Sequence, residues 1–538
     1  MMLSDLWMIT IGLIMSYKIL IPTAGTGSRL IELTQNINKS LVTVANKPVL
    51  SFLIEQFPED SEFVIALGHK GELVREFLSL AYPKRIFHFS DVTPFEGPNS
   101  GLGLSILTCK KYLQEPFIFC SCDTIVEEKI HPPDKNWMGY TTSINNITSY
   151  RTLHIIQKNN IVDNIYEKNY QCNNIVAYIG LSGINCYKKF WSSMESGGNE
   201  AVTKGEVYGM RSLLNEDIYG IPFTWWDTGN KKALKKTRKK YNIHNSPNIL
   251  EKPNEAIWFV NKNVIKFSSD EKFIQNRVKR SEYLSEFCPG ITGSTTHMYK
   301  YQKIDGKVFS EIVTLPLFNF FLNKSKQFWM EKNLSVDEKV SFKKVCLSFY
   351  REKTIQRIGQ FYRSFKKIDG TESINGISMP TLYYLLEKLD WNWISDGLPG
   401  RFHGDFHFEN ILWSEETKKL TFLDWRQEFG GSLTVGDIYY DMAKLLHGLI
   451  VCHELISHNF YDVTWEEKEI KFNLLRRQIL VECELYYEKW IIEQKYDLHK
   501  IKILTALIYL NIAALHHYPY CLLLYALGKQ MLYMEMKK

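Results

Sequence analysis

Three side chains in the run RFHGDFHFENILWSEETKKLTFLDW have the types and spacing that move a phosphoryl group. Asp405 sits in a loop where it can orient or deprotonate a hydroxyl, Asn410 offers an amide oxygen five residues on, and Asp424 follows the apolar strand TFL. Phosphoryl transfer from ATP depends chiefly on positioning and on Mg2+-assisted charge neutralisation, and an acid, an amide and a second acid supply those parts. A second set lies far upstream. ILIPTAGTGSRL places Gly25 and Gly27 directly after an apolar strand, where the backbone turns sharply and presents N–H groups to phosphate oxygens. Arg29 follows at once and Lys39 ten residues later, two cations suited to a triphosphate and its leaving pyrophosphate. FIFCSCDT ends a strand with Asp123, and FTWWDTGN offers Asp227; such carboxylates suit one or two Mg2+ ions beside an α-phosphate. Each member also has an ordinary structural use: the glycine turn can serve packing, Asp123 can form a turn, and Asp227 can cap the helix that follows.

The elements that must position these groups are legible as two patterns. From Lys18 the order is strand KILIP, glycine turn, helix PVLSFLIEQF, strand EFVIALG and a helix from Gly71, with further strands over Arg85–Phe89, Phe117–Cys122 and Ile175–Ile184. Short apolar strands alternating with helices predict a parallel α/β sheet of Rossmann-like type, ending near Lys240. A polar stretch over 241–250 reads as a linker, and AIWFVN with NVIKF then reads as a strand pair opening a second domain. After Val313 the pattern is helical, interrupted by a loop-rich block from Gly397 to Gly436 and resuming to the C-terminus. The predicted division is an extension over 1–16, a first domain over 17–240 and a second over 251–538, with a small lobe to about 315 and a helical large lobe from about 316.

Composition supports two folded bodies. The 538 residues exceed what one core usually organises, and 45% hydrophobic against 23% charged residues supplies cores and argues against long disorder. The net charge of +6 owes much to Lys231–Lys240, where seven of ten residues are Lys or Arg. That run reads as a solvated helix end rather than a nucleic-acid surface, so no nucleic-acid partner is expected. Ten cysteines without a CxxC pair predict reduced thiols in a cytoplasmic protein. The apolar stretch Leu6–Met15 is too short for a bilayer, so no membrane span is expected.

The upstream set, AGTGSR with a lysine, a strand-end aspartate and a late WDTGN, resembles the nucleotidyltransferases that make nucleotide-activated sugars and CDP-choline. The resemblance implies that Gly25, Gly27 and Arg29 line the nucleotide, Lys39 touches phosphate, Asp123 and Asp227 hold Mg2+, and GPNSGLGLS shapes the base pocket through Gly101 and Gly103. Asn38 stands before Lys39 where that family usually carries proline, which makes Lys47 an understudy. The downstream run resembles the HGDxHxxN and later D-W elements of aminoglycoside phosphotransferases and choline kinases, with their α+β kinase-like fold. It implies Asp405 as the base and Asn410 and Asp424 as Mg2+ ligands, with His403 bracing the loop; Lys266 on NVIKF takes the ATP phosphates and Glu282 pairs with it. ILEKPNEAIWFVN has no glycine-rich loop to cover those phosphates.

Together the two resemblances imply a bifunctional enzyme. A small alcohol or amino alcohol is phosphorylated by ATP, and the phosphomonoester then takes a nucleotidyl group, CTP being favoured, giving an activated precursor for surface polysaccharide. A sugar kinase joined to a sugar-1-phosphate nucleotidyltransferase is the alternative, and a regulatory protein with one inactive head is the alternative of another class. Acceptor, base and oligomeric state are open at this stage.

Overall fold

The computed structural model describes residues 17–144, 147–242, 252–284 and 286–538. The predicted 1–16 extension and most of the predicted linker lie outside those residues. The chain forms two compact units, one running through Glu271 and taking back Thr292–Tyr301, the other made of Lys272–Ile291 and Gln302–Lys538.

The first unit is built on a nine-stranded sheet. Its strands are β1 (Lys18–Pro22), β2 (Glu62–Leu67), β3 (Ile86–Asp91), β4 (Phe117–Cys120), a short β5 (Thr124–Val126) outside this sheet, β6 (Trp137–Thr141), β7 (Thr152–Ile156), β8 (Ile161–Tyr166), β9 (Ile175–Ile184) and β10 (Tyr219–Pro222). They lie in the order β3-β2-β1-β4-β9-β6-β10-β8-β7. The first four are parallel, as predicted, whereas β9 runs antiparallel to β4, so the sheet is mixed. Side-chain alternation sorts the strands onto two cores: Ile19 and Ile21 enter one, and Leu20 enters the other. Helices α1 (Val49–Ile54) and α2 (Gly71–Ala81) cover the first core, and α3 (Leu102–Cys109) covers the second with α4 (Gly198–Lys204) beside it. Because β1 and β4 are parallel neighbours, the loops carrying Gly25–Arg29 and Asp123 leave the sheet at the same edge, where open α/β sheets bind ligands.

Strand β11 (Trp225–Asp227) pairs antiparallel with β5, setting Asp227 opposite Thr124. The basic run then forms α5 (Lys231–Tyr241), capped by the Asn230 side chain and anchored by buried Leu234 and Thr237. Thr237 donates to the Asp227 carbonyl at 2.8 Å, so this helix supports the strand that carries the aspartate.

The predicted hairpin is present as β12 (Glu255–Val260) and β13 (Asn263–Ser268), within a four-stranded sheet with β14 (Ile291–Ser294) and β15 (Met298–Gln302). The sequence placed this hairpin at the head of the second domain, but its packing groups it with the first unit. Trp258, Phe267 and Met298 join the core of α2, and Trp258 meets Phe77 edge-on at 5.3 Å between ring centres. Glu76 of α2 accepts from Thr295 Oγ1 and from the His297 N–H.

In the second unit, α6 (Glu271–Tyr283) and α7 (Leu315–Phe328) are followed by α8 (Lys353–Phe365). The block that holds the phosphotransfer motif carries the hairpin β16 (Ile411–Ser414) and β17 (Lys419–Phe422), then α9 (Ile438–Ile450), and the chain closes with α10 (Gln478–Glu493), α11 (Leu498–Ala513) and α12 (Tyr520–Met536). The expectation of uninterrupted helix after this block needs correction, since Tyr461–Glu466 and Glu469–Leu474 pair antiparallel and join Glu372–Ile374 and Ile377–Met379 in one sheet. YDVTWEEKEIKFNL alternates apolar and polar residues across a turn with Glu467 at φ +45°, a strand pattern rather than a helical one.

Candidate functional sites

In the first unit, five of the predicted residues gather after β1 and β4. Gly27 turns with φ +68°, and a side chain there would come within 2.9 Å of Thr34 and 3.0 Å of the Lys39 Cβ, so the glycine lets the Thr34 and Lys39 side chains pack against the turn. Gly25 faces open space. Lys39 Nζ lies 3.4 Å from Asp123 Oδ2, and Arg29 Nη2 lies 3.8 Å from the same oxygen.

Asn38, the departure noted in the sequence, is fully buried and acts as a brace. Its Nδ2 donates to the carbonyls of Thr23 and His69 at 2.9 and 2.7 Å, and its Oδ1 accepts from the Ser40 N–H and hydroxyl at 2.9 and 2.8 Å. Those bonds fix the short turn that presents Lys39. The understudy, Lys47, is paired with Glu55 instead.

The two aspartates are brought together by the β5–β11 register. The Thr228 N–H and hydroxyl both donate to the Asp123 carbonyl at 3.0 Å. Ser121 donates to Asp123 Oδ1 at 2.6 Å, while Asp227 accepts from the Gly229 N–H at 2.7 Å, Tyr150 at 3.0 Å and Asn230 at 3.2 Å. A Cβ at Gly229 would fall 2.8 Å from Asp123 Oδ2, 3.0 Å from Asp227 Oδ1 and 3.2 Å from Arg29 Nη2. That point is a cradle kept open by a missing side chain, faced by carboxylate oxygens from the turn between β4 and β5 and from β11.

Electrostatics divide the pair. Burial opposes ionisation of Asp123, but Lys39, Ser121 and Arg29 outweigh it and hold its carboxyl below the usual range. Burial and the neighbouring Asp123 charge push Asp227 above it. Burial would strip Lys39 of its proton, yet Asp123 and Cys122 hold it charged. Two close carboxylates of hard oxygen character fit a Mg2+ ion, which would relieve their mutual repulsion. Gly101 and Gly103 are not in this cradle. Side chains there would strike the carbonyls of Val202 and Ala201 at 2.3 and 2.0 Å, so both permit α3 to lie against α4.

In the second unit, the loop Arg401–Asn410 is held from beneath by α9. Asp441 accepts from the N–H groups of His403 and Gly404, each at 2.6 Å, and from Trp329 Nε1 at 3.1 Å. His403 is fully buried; its Nδ1 accepts from the Asp405 N–H at 3.2 Å and its Nε2 donates to the Leu423 carbonyl at 2.9 Å. Burial keeps that ring neutral, its pKa pulled down to about 3, and it ties the Asp405 loop to the strand end before Asp424. Asp437 caps α9 through the Tyr439 N–H and accepts from Tyr350 at 2.6 Å. His403 and Asp441 thus hold the loop, the bracing part expected of His403, while Asp437 caps the helix that carries Asp441.

Asp405 itself is 39% exposed and faces Lys444 Nζ at 2.8 Å. Asn410 Nδ2 donates to the Asp405 carbonyl at 2.9 Å and to its Oδ2 at 3.2 Å. Burial works against the Asp405 charge, but Lys444 and His407 hold its carboxyl well below the usual range. His407, pressed between Asp405 and Glu409, is raised to about 9 by those carboxylates despite burial. Leu423 N–H donates to the Asn410 carbonyl at 2.7 Å, which sets Asp424 beside Asn410. Asp424 takes the left-handed conformation, φ +60°, and pairs with Arg277 of α6. An aspartate tolerates that conformation better than most residues, and such strain concentrates at functional positions. The amide and carboxylate oxygens of Asn410 and Asp424, on adjacent segments, fit a Mg2+ ion.

Sequence reasoning missed Lys444 and Arg277. Lys444 had a signal: Asp437, Asp441 and Lys444 recur at helical spacing in the otherwise apolar GDIYYDMAKLLHGL, so all three lie on one face. Arg277 had none. Glu282 is corrected: it is exposed on α6, whereas Arg277 and Arg280 occupy the buried face and reach the loop, Arg280 Nη2 donating to the Phe402 carbonyl at 2.6 Å. Lys266 is buried in the middle of β13, opposite Ile257. The aromatics of FHFENILW are core: Phe406 stacks on Phe321, and Phe408 meets Phe318 edge-on.

Residues 363–458 match the model of the phosphotransferase enzyme family, APH. The matched stretch includes Asp405, Asn410, Asp424, Asp441 and Lys444. The N-terminal region is similar to nucleotidyltransferases. The bifunctional protein GlmU of Methanocaldococcus jannaschii is 27% identical over 143 residues, 26% of this chain and 33% of that protein. A probable glucose-1-phosphate cytidylyltransferase of Bacillus subtilis is 36% identical over 62 residues, 11% of this chain and 24% of that protein. The chain thus spans a third or less of the length of these curated relatives. Among solved structures, a CTP:phosphocholine cytidylyltransferase from Streptococcus pneumoniae is 18% identical, with a TM-score of 0.34, covering 42% of this chain and 99% of that one. The chain is thus similar to nucleotidyltransferases in its N-terminal region and matches the phosphotransferase family model over residues 363–458. No helix among the described residues is long and apolar enough to cross a membrane.

Proposed function

We propose that the chain is a bifunctional cytoplasmic enzyme that first phosphorylates a small alcohol with ATP and then transfers a nucleotidyl group from an NTP to the product. The observation that carries this reading is that each unit assembles its own pair of carboxylate-bearing loops with cations beside them, one around Gly229 and one around Asp405.

In the phosphotransferase head, the acceptor hydroxyl attacks the γ-phosphorus as its proton passes to Asp405, and ADP leaves. Lys444 and Asn410 hold the Asp405 carboxylate in one orientation, and neutral His403 with Asp441 holds its backbone. A base of such low pKa acts late, which suits a loose phosphoryl-transfer transition state governed by positioning. Asn410 and Asp424 would hold Mg2+. In the nucleotidyltransferase head, the phosphomonoester attacks the α-phosphorus and pyrophosphate leaves. Lys39 and Arg29 meet the phosphate charge, Gly25 and Gly27 present backbone N–H groups, and Gly101 and Gly103 hold α3 as a wall of the base pocket. Asp123 and Asp227 would hold Mg2+, which when bound neutralises charge on the phosphate oxygens.

CTP is the favoured nucleotide, supported by the cytidylyltransferase relative. The product is an NDP-activated precursor for surface polysaccharide, with amino alcohols and sugars in the proposed acceptor range. Point changes divide the heads: Asp405→Asn should lower phosphorylation about 10²–10⁴-fold and leave nucleotidyl transfer intact, and Asp123→Asn should do the converse. Loss of both activities in either folded variant would contradict two independent sites.

A further inference from the structure

Around Lys353 gather Arg426, Arg357 and Lys444, with Asp405 also in range of its charge, and of these four cations only Lys444 has a carboxylate partner among the described residues. Lys353 opens α8, and Arg357 lies one turn further along the same face. Arg426 follows Asp424 by two residues. The Lys353 ammonium sits 4.3 Å from the centre of the Phe349 ring, and the Arg426 guanidinium carbon sits 5.1 Å from the same centre. Arg426 is fixed at the root of the catalytic loop: its N–H donates to the His403 carbonyl at 2.9 Å, and a side chain on Gly404 would meet its Cβ at 2.5 Å. The remaining bonds of the trio are to neutral groups, Arg426 Nε to the Glu428 carbonyl and Arg357 Nη1 to Gln360 Oε1, each at 3.0 Å. Among the described residues no carboxylate lies within 4 Å of Lys353, Arg357 or Arg426.

Like charges kept together without counterions cost stability, and the strain registers on Lys353. Burial first, then Arg426, Arg357 and Lys444, lowers its pKa to about 7 against the pull of Asp405. The π-helical turn Ser348–Glu352, which carries Phe349, immediately precedes Lys353; such wide turns recur at functional sites. A surface of this kind suits an anion held next to the reacting hydroxyl and repels a quaternary ammonium.

We propose that Lys353, Arg357 and Arg426 form an acceptor-anion pocket, so that the alcohol phosphorylated at Asp405 carries a carboxylate or phosphate group. The inference rests on the phosphotransferase reading and narrows its acceptor from amino alcohols in general to anionic alcohols. The bond formed joins the acceptor oxygen to the γ-phosphorus, the bond broken is the bridge to ADP, and the hydroxyl proton goes to Asp405.

The test uses the full chain with ATP and four probes, glycerol, choline, glycerate and glycerol 3-phosphate, read by phosphorus NMR and ADP release. Glycerate or glycerol 3-phosphate should be turned over at least tenfold better than glycerol or choline, and the better of the two assigns the anion as carboxylate or phosphate. Lys353→Ala, with Lys353→Met as a second variant that keeps the stem, should raise KM for that acceptor at least tenfold with KM for ATP unchanged. Preference for choline, or a rise confined to KM for ATP, overturns the pocket and leaves phosphotransfer standing. If no probe is phosphorylated, calorimetry with glycerate and inorganic phosphate decides. Binding by the wild type that is lost in Arg357→Ala keeps the pocket while sinking the phosphotransferase reading, and no binding of either anion overturns the pocket.

Discussion

At the scale of single residues, both sites depend on buried side chains that brace the backbone around them. Asn38 satisfies two carbonyls and a serine beneath the glycine turn, and Lys39 takes its position from that brace. Asn38→Ala leaves buried partners unmet, a cost of about 1–3 kcal/mol, and lets Lys39 drift from Asp123. Nucleotidyl transfer should fall about tenfold to a hundredfold with phosphorylation unchanged, checked by assaying each activity beside a thermal melt. Gly229 is the sharper probe. Its Cβ would occupy the point between Asp123 and Asp227, so Gly229→Ala should abolish Mg2+-dependent nucleotidyl transfer and weaken Mg2+ binding measured by calorimetry, while the melting temperature shifts little. Unchanged Mg2+ affinity in that variant would remove the metal from the cradle.

At the scale of elements, α9 holds the Arg401–Asn410 loop of the second unit. Asp441 satisfies two buried N–H groups of that loop and one indole, so Asp441→Ala leaves three donors unpaired and should lower the melting temperature markedly as well as phosphorylation. Asp441→Asn keeps one acceptor oxygen and should fall between the two. This scale also decides what was legible in the sequence. Asp405, Asn410 and Asp424 lie within twenty residues, so their grouping could be read from spacing and strand punctuation. Asp123 and Asp227 could each be placed at a strand end, but their convergence depends on the pairing of Trp225–Asp227 with Thr124–Val126, a register that no local pattern encodes. Lys444 was readable from charge periodicity in an apolar helix. Arg277 and Lys353 were not, because ordinary amphipathic helices carry such residues, and only tertiary packing turns them toward the loop. Glu282 was misjudged by the same measure: the helix was recognised, and its phase was not.

At the scale of the whole molecule, the proposed reading orders the two units: a phosphotransferase would make the monoester that a nucleotidyltransferase would consume, so the C-terminal unit would act first. The order predicts complementation: a mixture of Asp405→Asn and Asp123→Asn chains should restore the full conversion that neither performs alone, since a free phosphomonoester can diffuse between them. A mixture that stays inactive although each variant keeps its remaining activity would mean that the intermediate is not released. The measurement that tests the central claim most directly is a phosphorus NMR time course of the wild-type chain with ATP, CTP, Mg2+ and an anionic alcohol. The account predicts a phosphomonoester signal that rises and then decays into a diphosphodiester as pyrophosphate accumulates. A diphosphodiester that never forms with any NTP, in protein that does accumulate the phosphomonoester, would contradict it.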